Sequence, residues 1–212
     1  MNDLYSLVQG VFPNTEILLM YYCGSISYGI DDETSDKDVT VVLNGFKGNI
    51  HITIGEYDLF VFSRERFIQR QKFDESVIAY HRAAADNLMS IKETLIYLNP
   101  VFTATLDELL LYSDREFMHK HIEAELEYGK MRYKISPSFK SHYHVFRIRG
   151  MMDHYDKTGR YELIVEDPWY SKMMDYKVNW NNNIGLSYIS EIQEQLQYLE
   201  DYKDRMIRSG MG

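Results

Sequence analysis

From Ile17 to Tyr22 the chain is apolar or aromatic at every position, a run of strand length without a polar break. Such a run predicts a strand buried on both faces. A polar loop follows over residues 24–35. The chain turns apolar again from Asp38 to Leu43, which predicts a second strand. Asn44-Gly45 and Lys47-Gly48-Asn49 are turn chemistry. Ile50–Ile54 and Tyr57–Phe62 then read as two strands joined at Gly55-Glu56, a hairpin. Ahead of all four, residues 2–10 read as a short amphipathic helix, with Asn2 or Asp3 as cap and Gly10 as stop, and Pro13-Asn14 as a turn.

After Ser63 the pattern changes period. Ser63 caps a helix reaching Gln71, and residues 74–89 form another, with Phe73, Val77, Ile78 and Ala85 as packing positions. Asn99-Pro100 closes the next segment. Ser113-x-x-Glu116 is a capping box before a helix over residues 114–134. Ser136-Pro137 breaks that helix and opens another over residues 138–157, stopped by Gly159. Tyr161–Val165 reads as a short strand, and Pro168 opens a helix to Asn179. After a loop through Asn181-Asn182-Asn183 and Gly185, Ser187–Arg208 is a final amphipathic helix with apolar Ile189, Ile192, Leu196, Leu199 and Met206. Strands first and helices afterwards is an α+β order: a small sheet with flanking helices, then a mostly helical C-terminal part. A boundary near residue 100 predicts domains 1–100 and 101–212 sharing a cleft.

Composition narrows the class. The 212 residues are 45% hydrophobic and 26% charged, ordinary for a globular chain. No apolar run reaches membrane-spanning length, and the start Met1-Asn2-Asp3 is acidic, so the expectation is no signal peptide, no membrane partner and cytoplasmic residence. The single cysteine, Cys23, cannot form an internal disulfide and reads as a packed residue at a strand end. A net charge of −9 argues mildly against broad nucleic-acid binding.

The chemistry concentrates in GSISYGIDDETSDKDVTVVL, residues 24–43. Alternate strand residues share a face, so Asp36 and Asp38 aim their carboxylates the same way. Two such carboxylates repel unless a cation sits between them, and oxygen donors of this kind suit Mg²⁺ or Mn²⁺. Asp58 lies in the next strand-like run but one, where a sheet neighbour brings it beside that pair. Three carboxylates on adjacent strands can hold two metal ions that activate an attacking oxygen and stabilise a leaving phosphate. Gly24-Ser25 offers close backbone approach, N–H groups and a hydroxyl, which a triphosphate needs. Asp31, Asp32 and Glu33 read as a solvated turn.

Gly24-Ser25, ten residues, Asp36-x-Asp38 on a strand, then a later strand Asp resembles the DNA polymerase β-like nucleotidyltransferase superfamily. Tyr28-Gly29, Ser35-Asp36, Leu98-Asn99-Pro100 and the helical Lys140-x-x-x-His144-x-x-Arg147 look like its bacterial and phage branch, so the resemblance spans residues 17–160. It implies a mixed, palm-like sheet. It also implies metal binding and catalysis by Asp36, Asp38 and Asp58, and nucleotide binding by Gly24 and Ser25.

Between Tyr128 and Met152 there is no acid, while Lys130, Arg132, Lys134, Lys140, Arg147 and Arg149 are all basic. Lys140, His144 and Arg147 share one helix face and are candidates to balance triphosphate charge; the plainer alternative is a solvated basic face. His119-x-His121 and His142-x-His144 make poor metal sites, because residues two apart on a helix do not face each other.

The expectation is a metal-dependent nucleotidyltransferase, binding ATP or another NTP with Mg²⁺ or Mn²⁺ as cofactor. It would move a nucleoside monophosphate to an unidentified hydroxyl and release pyrophosphate. A tRNA end, a protein hydroxyl and a small molecule all fit as acceptor, and homo-oligomerisation stays open. Two rivals remain: a nucleotide-sensing module without transfer, and a toxin–antitoxin or phage–host interaction protein.

Overall fold

The computed structural model describes residues 3–33, 35–71, 91, 94–111, 139–158, 165–179 and 189–208. Described residues up to Leu111 belong to one compact unit and those from Phe139 onward to a second.

The first unit is built on a five-stranded sheet. Its strands are β1 (Glu16–Tyr22), β2 (Lys37–Asn44), β3 (Asn49–Ile54), β4 (Tyr57–Ser63) and β5 (Leu95–Leu98), in the spatial order β3-β4-β2-β1-β5. Only β2 and β4 run parallel; the other pairs are antiparallel, so the sheet is mixed. The four strands expected before residue 63 are present. β5 is an addition: Leu95–Leu98 is only four residues long and half exposed, too short to show a period. Asn99 ends it by donating its backbone N–H to Leu18 O at 2.8 Å, then caps a 3-10 turn (Pro100–Phe102) by accepting from Val101 N.

The two faces of the sheet are covered differently. Helix α1 (Asp3–Val11) lays Leu4 and Val8 on Ile17, Met20, Val39, Val41, Leu43, Leu59 and Val61. Those strand residues alternate along β2 and β4, as the pleat requires. On the opposite face Phe62 packs near Phe67 of α2 (Arg64–Gln71), with ring centroids 6.4 Å apart, and Phe67 lies 6.3 Å from Phe102. α2 starts where Ser63 Oγ accepts from Arg66 N, the cap read in the sequence. A helix α3 (Thr103–Leu111) follows the 3-10 turn. β2 is buried on both faces from Val39 to Leu43, which explains an apolar run that Thr40 alone interrupts.

The second unit contains α4 (Phe139–Thr158), α5 (Trp169–Asn179) and α6 (Ile189–Arg208), with α4 packed against both others. Phe146 sits 4.9 Å from Tyr176, ring to ring. Gly150 lets α4 approach closely: a Cβ there would meet Val165 Cβ at 2.8 Å. Ile192, Gln195, Leu199 and Tyr202 form the buried stripe of α6, at helical spacing. The expected helices over 74–89 and 114–134, the 181–185 loop and most of the Tyr161–Val165 strand lie outside the described residues. None of the helices is long and apolar enough to cross a membrane, among the described residues.

Candidate active site

Gly24 is separated from the end of β1 by Cys23 alone and turns the chain with φ +63°. Residues 24–29 coil tightly: Ser27 Oγ donates to Gly24 O at 2.8 Å, and Tyr28 N and Ile30 N both donate to Ser25 O. Tyr28 and Ile30 are buried and fasten the loop to the unit. Cys23 N donates to Asp38 O at 2.9 Å, so the start of the loop is pinned to the start of β2. Cys23 itself is buried, with Thr40 Oγ1 3.5 Å from its sulfur, a packed residue as expected.

Gly24 cannot be another residue without moving Asp38. A Cβ built on Gly24 would stand 2.1 Å from Asp38 Oδ2 and 3.0 Å from Asp38 Cγ. The Asp38 carboxylate is therefore laid against the backbone of the Gly-Ser turn. Asp38 and Asp58 are directly opposed in the parallel β2–β4 pair. Directly opposed residues project to one face, so both acids leave the sheet on the side away from α1. Asp36 is exposed and stands two residues before Asp38, just outside β2.

Asp58 has a further partner that the sequence reading passed over. Thr53, its register partner on β3, donates from Oγ1 to Asp58 Oδ1 at 2.5 Å. His51 Nε2 lies 3.7 Å from the same oxygen. The two-residue Gly55-Glu56 turn already dictates this register: counting outward from it pairs Ile54 with Tyr57 and Thr53 with Asp58. At the same corner Lys37 N donates to Glu56 O, and Lys37 Nζ reaches Glu56 Oε2 at 2.8 Å. That hydrogen bond holds the Glu56 carboxyl below its ordinary value and Lys37 above its own.

The structure thus brings Gly24, Asp38 and Asp58 to one end of one sheet face. Among the described residues no three His, Cys, Asp or Glu side chains are gathered closely enough to hold one metal ion together. The donor chemistry still fits a hard divalent cation: every candidate ligand is a carboxylate oxygen.

The basic trio lies on α4 in the second unit. Arg147 is completely buried, with Nη1 3.6 Å from Met151 Sδ, and His144 is also buried. Lys140 occupies the first turn of the same helix. The shared face read from the spacing is thus, at His144 and Arg147, a buried face. Arg149, next to it, is held by Asp153 and Gln195 and lies over the ring of Tyr198.

No family model matches the chain, and no curated protein matches it in sequence. Among solved structures it is similar to a nucleotidyltransferase-like protein from Exiguobacterium sibiricum 255-15. That likeness has 9% identity and a TM-score of 0.33, over 97% of this chain and 75% of that one. At such a TM-score it fixes neither fold nor activity.

Proposed function

We propose that the protein is a nucleotidyltransferase that takes an NTP and passes its nucleoside monophosphate to a hydroxyl acceptor. The observation that carries this reading is the pairing of Asp38 with Asp58 on neighbouring parallel strands, with Gly24 closed against the Asp38 carboxylate. Gly24 and Ser25 hold the triphosphate through backbone N–H groups and the Ser25 hydroxyl. Mg²⁺ or Mn²⁺ held between Asp38 and Asp58, with Asp36 as a candidate third ligand, would neutralise charge on the phosphates and polarise the α-phosphorus.

The acceptor oxygen forms its bond to the α-phosphorus as the bond to the bridging oxygen breaks and pyrophosphate departs. Asp58 faces the acceptor and receives the hydroxyl proton. Asp38, lying against the Gly-Ser turn, orients the triphosphate end. Lys140 stays a candidate for balancing phosphate charge; His144 and Arg147, both buried within the second unit, take no part in the proposal.

A second reading, a nucleotide-sensing module, draws support from the lack of a gathered three-carboxylate group among the described residues. Incubation with each labelled NTP and Mg²⁺ separates the two. Transfer or pyrophosphate release by the wild type and not by Asp36→Asn or Asp38→Asn supports the enzyme. Binding without release supports the sensor, and equal turnover in wild type and both variants overturns the site.

A further inference from the structure

Two residues along the strands from the Thr53–Asp58 pair is another register pair, His51 and Phe60. Both therefore project on the face that carries Asp38 and Asp58, about 7 Å from the Asp58 position at the rise of an extended strand. Their rings lie nearly parallel, tilted by 6° with centroids 4.5 Å apart. Phe60 covers one side of the imidazole, yet the His51 side chain remains 54% exposed. With one ring face against Phe60, that exposure belongs to the other face and the ring edges. Phe60 stands against the imidazole from the neighbouring strand, and Asp58 Oδ1 lies 3.7 Å from His51 Nε2.

The order of strands gives this platform a side. Gly24-Ser25 follows β1, Asp38 is on β2, Asp58 on β4 and His51 on β3, and β3-β4-β2-β1 is their spatial sequence. If the triphosphate lies at the Gly-Ser turn, which is where this inference rests on the reading above, the acceptor approaches from the β3 side. It then meets the imidazole before it meets Asp58.

We propose that His51, backed by Phe60, is the specificity-determining residue for the acceptor, and that the acceptor carries a flat aromatic ring beside its hydroxyl, as a ribonucleoside does. A ring of that kind stacks on the open face of His51 and brings the adjoining sugar hydroxyl toward Asp58. Stacking tolerates many ring identities, because every base has a π-face. A hexose can offer the imidazole only its C–H groups and gains much less from the platform than a flat aromatic ring does. The ribonucleoside can arrive free or at the end of an oligonucleotide.

The test is binding and does not depend on turnover. A fluorescent purine riboside, free or at the end of a short oligoribonucleotide, is titrated into wild type, His51→Ala and His51→Phe, with a hexose as competitor. The expected result is quenching on binding, affinity weakened about tenfold in His51→Ala, and affinity retained in His51→Phe. The hexose should not compete. Preference for the free riboside or for the oligonucleotide identifies the source, and either supports the platform. Equal affinity in wild type and His51→Ala, no binding by wild type, or competition by the hexose overturns it. Failure of the transferase reading shows elsewhere, as unchanged NTP turnover in Asp38→Asn, so the two outcomes are separable.

Discussion

Gly24 and Asp38 are fitted so closely that a methyl group on Gly24 would stand 2.1 Å from Asp38 Oδ2. The contact ties the turn after β1 to the acid that opens β2, and it makes the glycine a condition for the carboxylate's position. Gly24→Ala therefore carries two penalties: a positive φ that alanine adopts poorly, costing about 1 kcal/mol, and displacement of Asp38. Gly48→Ala isolates the first penalty, since Gly48 also has positive φ but nothing lies within 4 Å of its added Cβ. Chemical denaturation should show Gly24→Ala as the less stable of the two, and only Gly24→Ala should impair NTP turnover.

Asp38→Asn and Asp58→Asn keep side-chain size and remove charge. Neither acid lies in the sheet's apolar core. The folded state should persist in both, while nucleotidyl transfer falls by at least about a hundredfold, the scale expected when charge stabilisation of a transition state is lost. Circular dichroism and pyrophosphate release on the same samples check both halves.

Thr53→Val removes the hydroxyl that fixes Asp58 Oδ1 and keeps the β-branched shape suited to an edge strand. The net cost to stability is about 1 kcal/mol, that of one hydrogen bond to a charged group near water. The functional effect should fall on kcat with the NTP KM unchanged, and Thr53→Ser should restore it.

Much of this corner was legible beforehand because its signals are local. The unbroken apolar run of β1, the Asp-headed β2 and the hairpin turn at Gly55-Glu56 each carry their own period or turn chemistry. Asp58 could be placed beside Asp38 only by assuming a sheet neighbour, and the parallel β2–β4 register supplies it. β5 escaped because four residues cannot show alternation. Thr53 and His51 carry no charge-pair or metal-ligand pattern of their own in the sequence, although the Gly55-Glu56 turn fixes their partners. The trio on α4 shows another limit. Spacing reveals that Lys140, His144 and Arg147 share a face, but charge pattern alone assigns such residues to solvent. Arg147 is instead fully buried, which only tertiary packing decides.

Leu59 is fully buried where α1 closes over β4. Leu59→Ala leaves a cavity among Val39, Val61 and the α1 side chains, and should cost about 3 kcal/mol. A denaturant midpoint lowered by that free energy divided by the slope, with the slope itself unchanged, is the expected outcome.

The Lys37–Glu56 pair yields a pH dependence with two limbs. Its hydrogen bond lowers the Glu56 carboxyl below its ordinary 4.5 and raises Lys37 above its ordinary 10.5. A carboxyl with a depressed folded pKa stabilises fully above its unfolded value and loses that contribution as pH falls through the folded one. A lysine with a raised folded pKa stabilises fully below its unfolded value and loses it as pH rises through the folded one. The pair therefore contributes in full between pH 4.5 and 10.5 and fades outside that window. Both side chains stay largely in water, so the contribution is small and should shrink further with added salt. Thermal melts of Glu56→Gln against wild type should converge on the acid side of the window and separate within it. A constant separation down to strongly acidic pH would mean that the bond between β2 and the β3–β4 turn is not what Glu56 contributes.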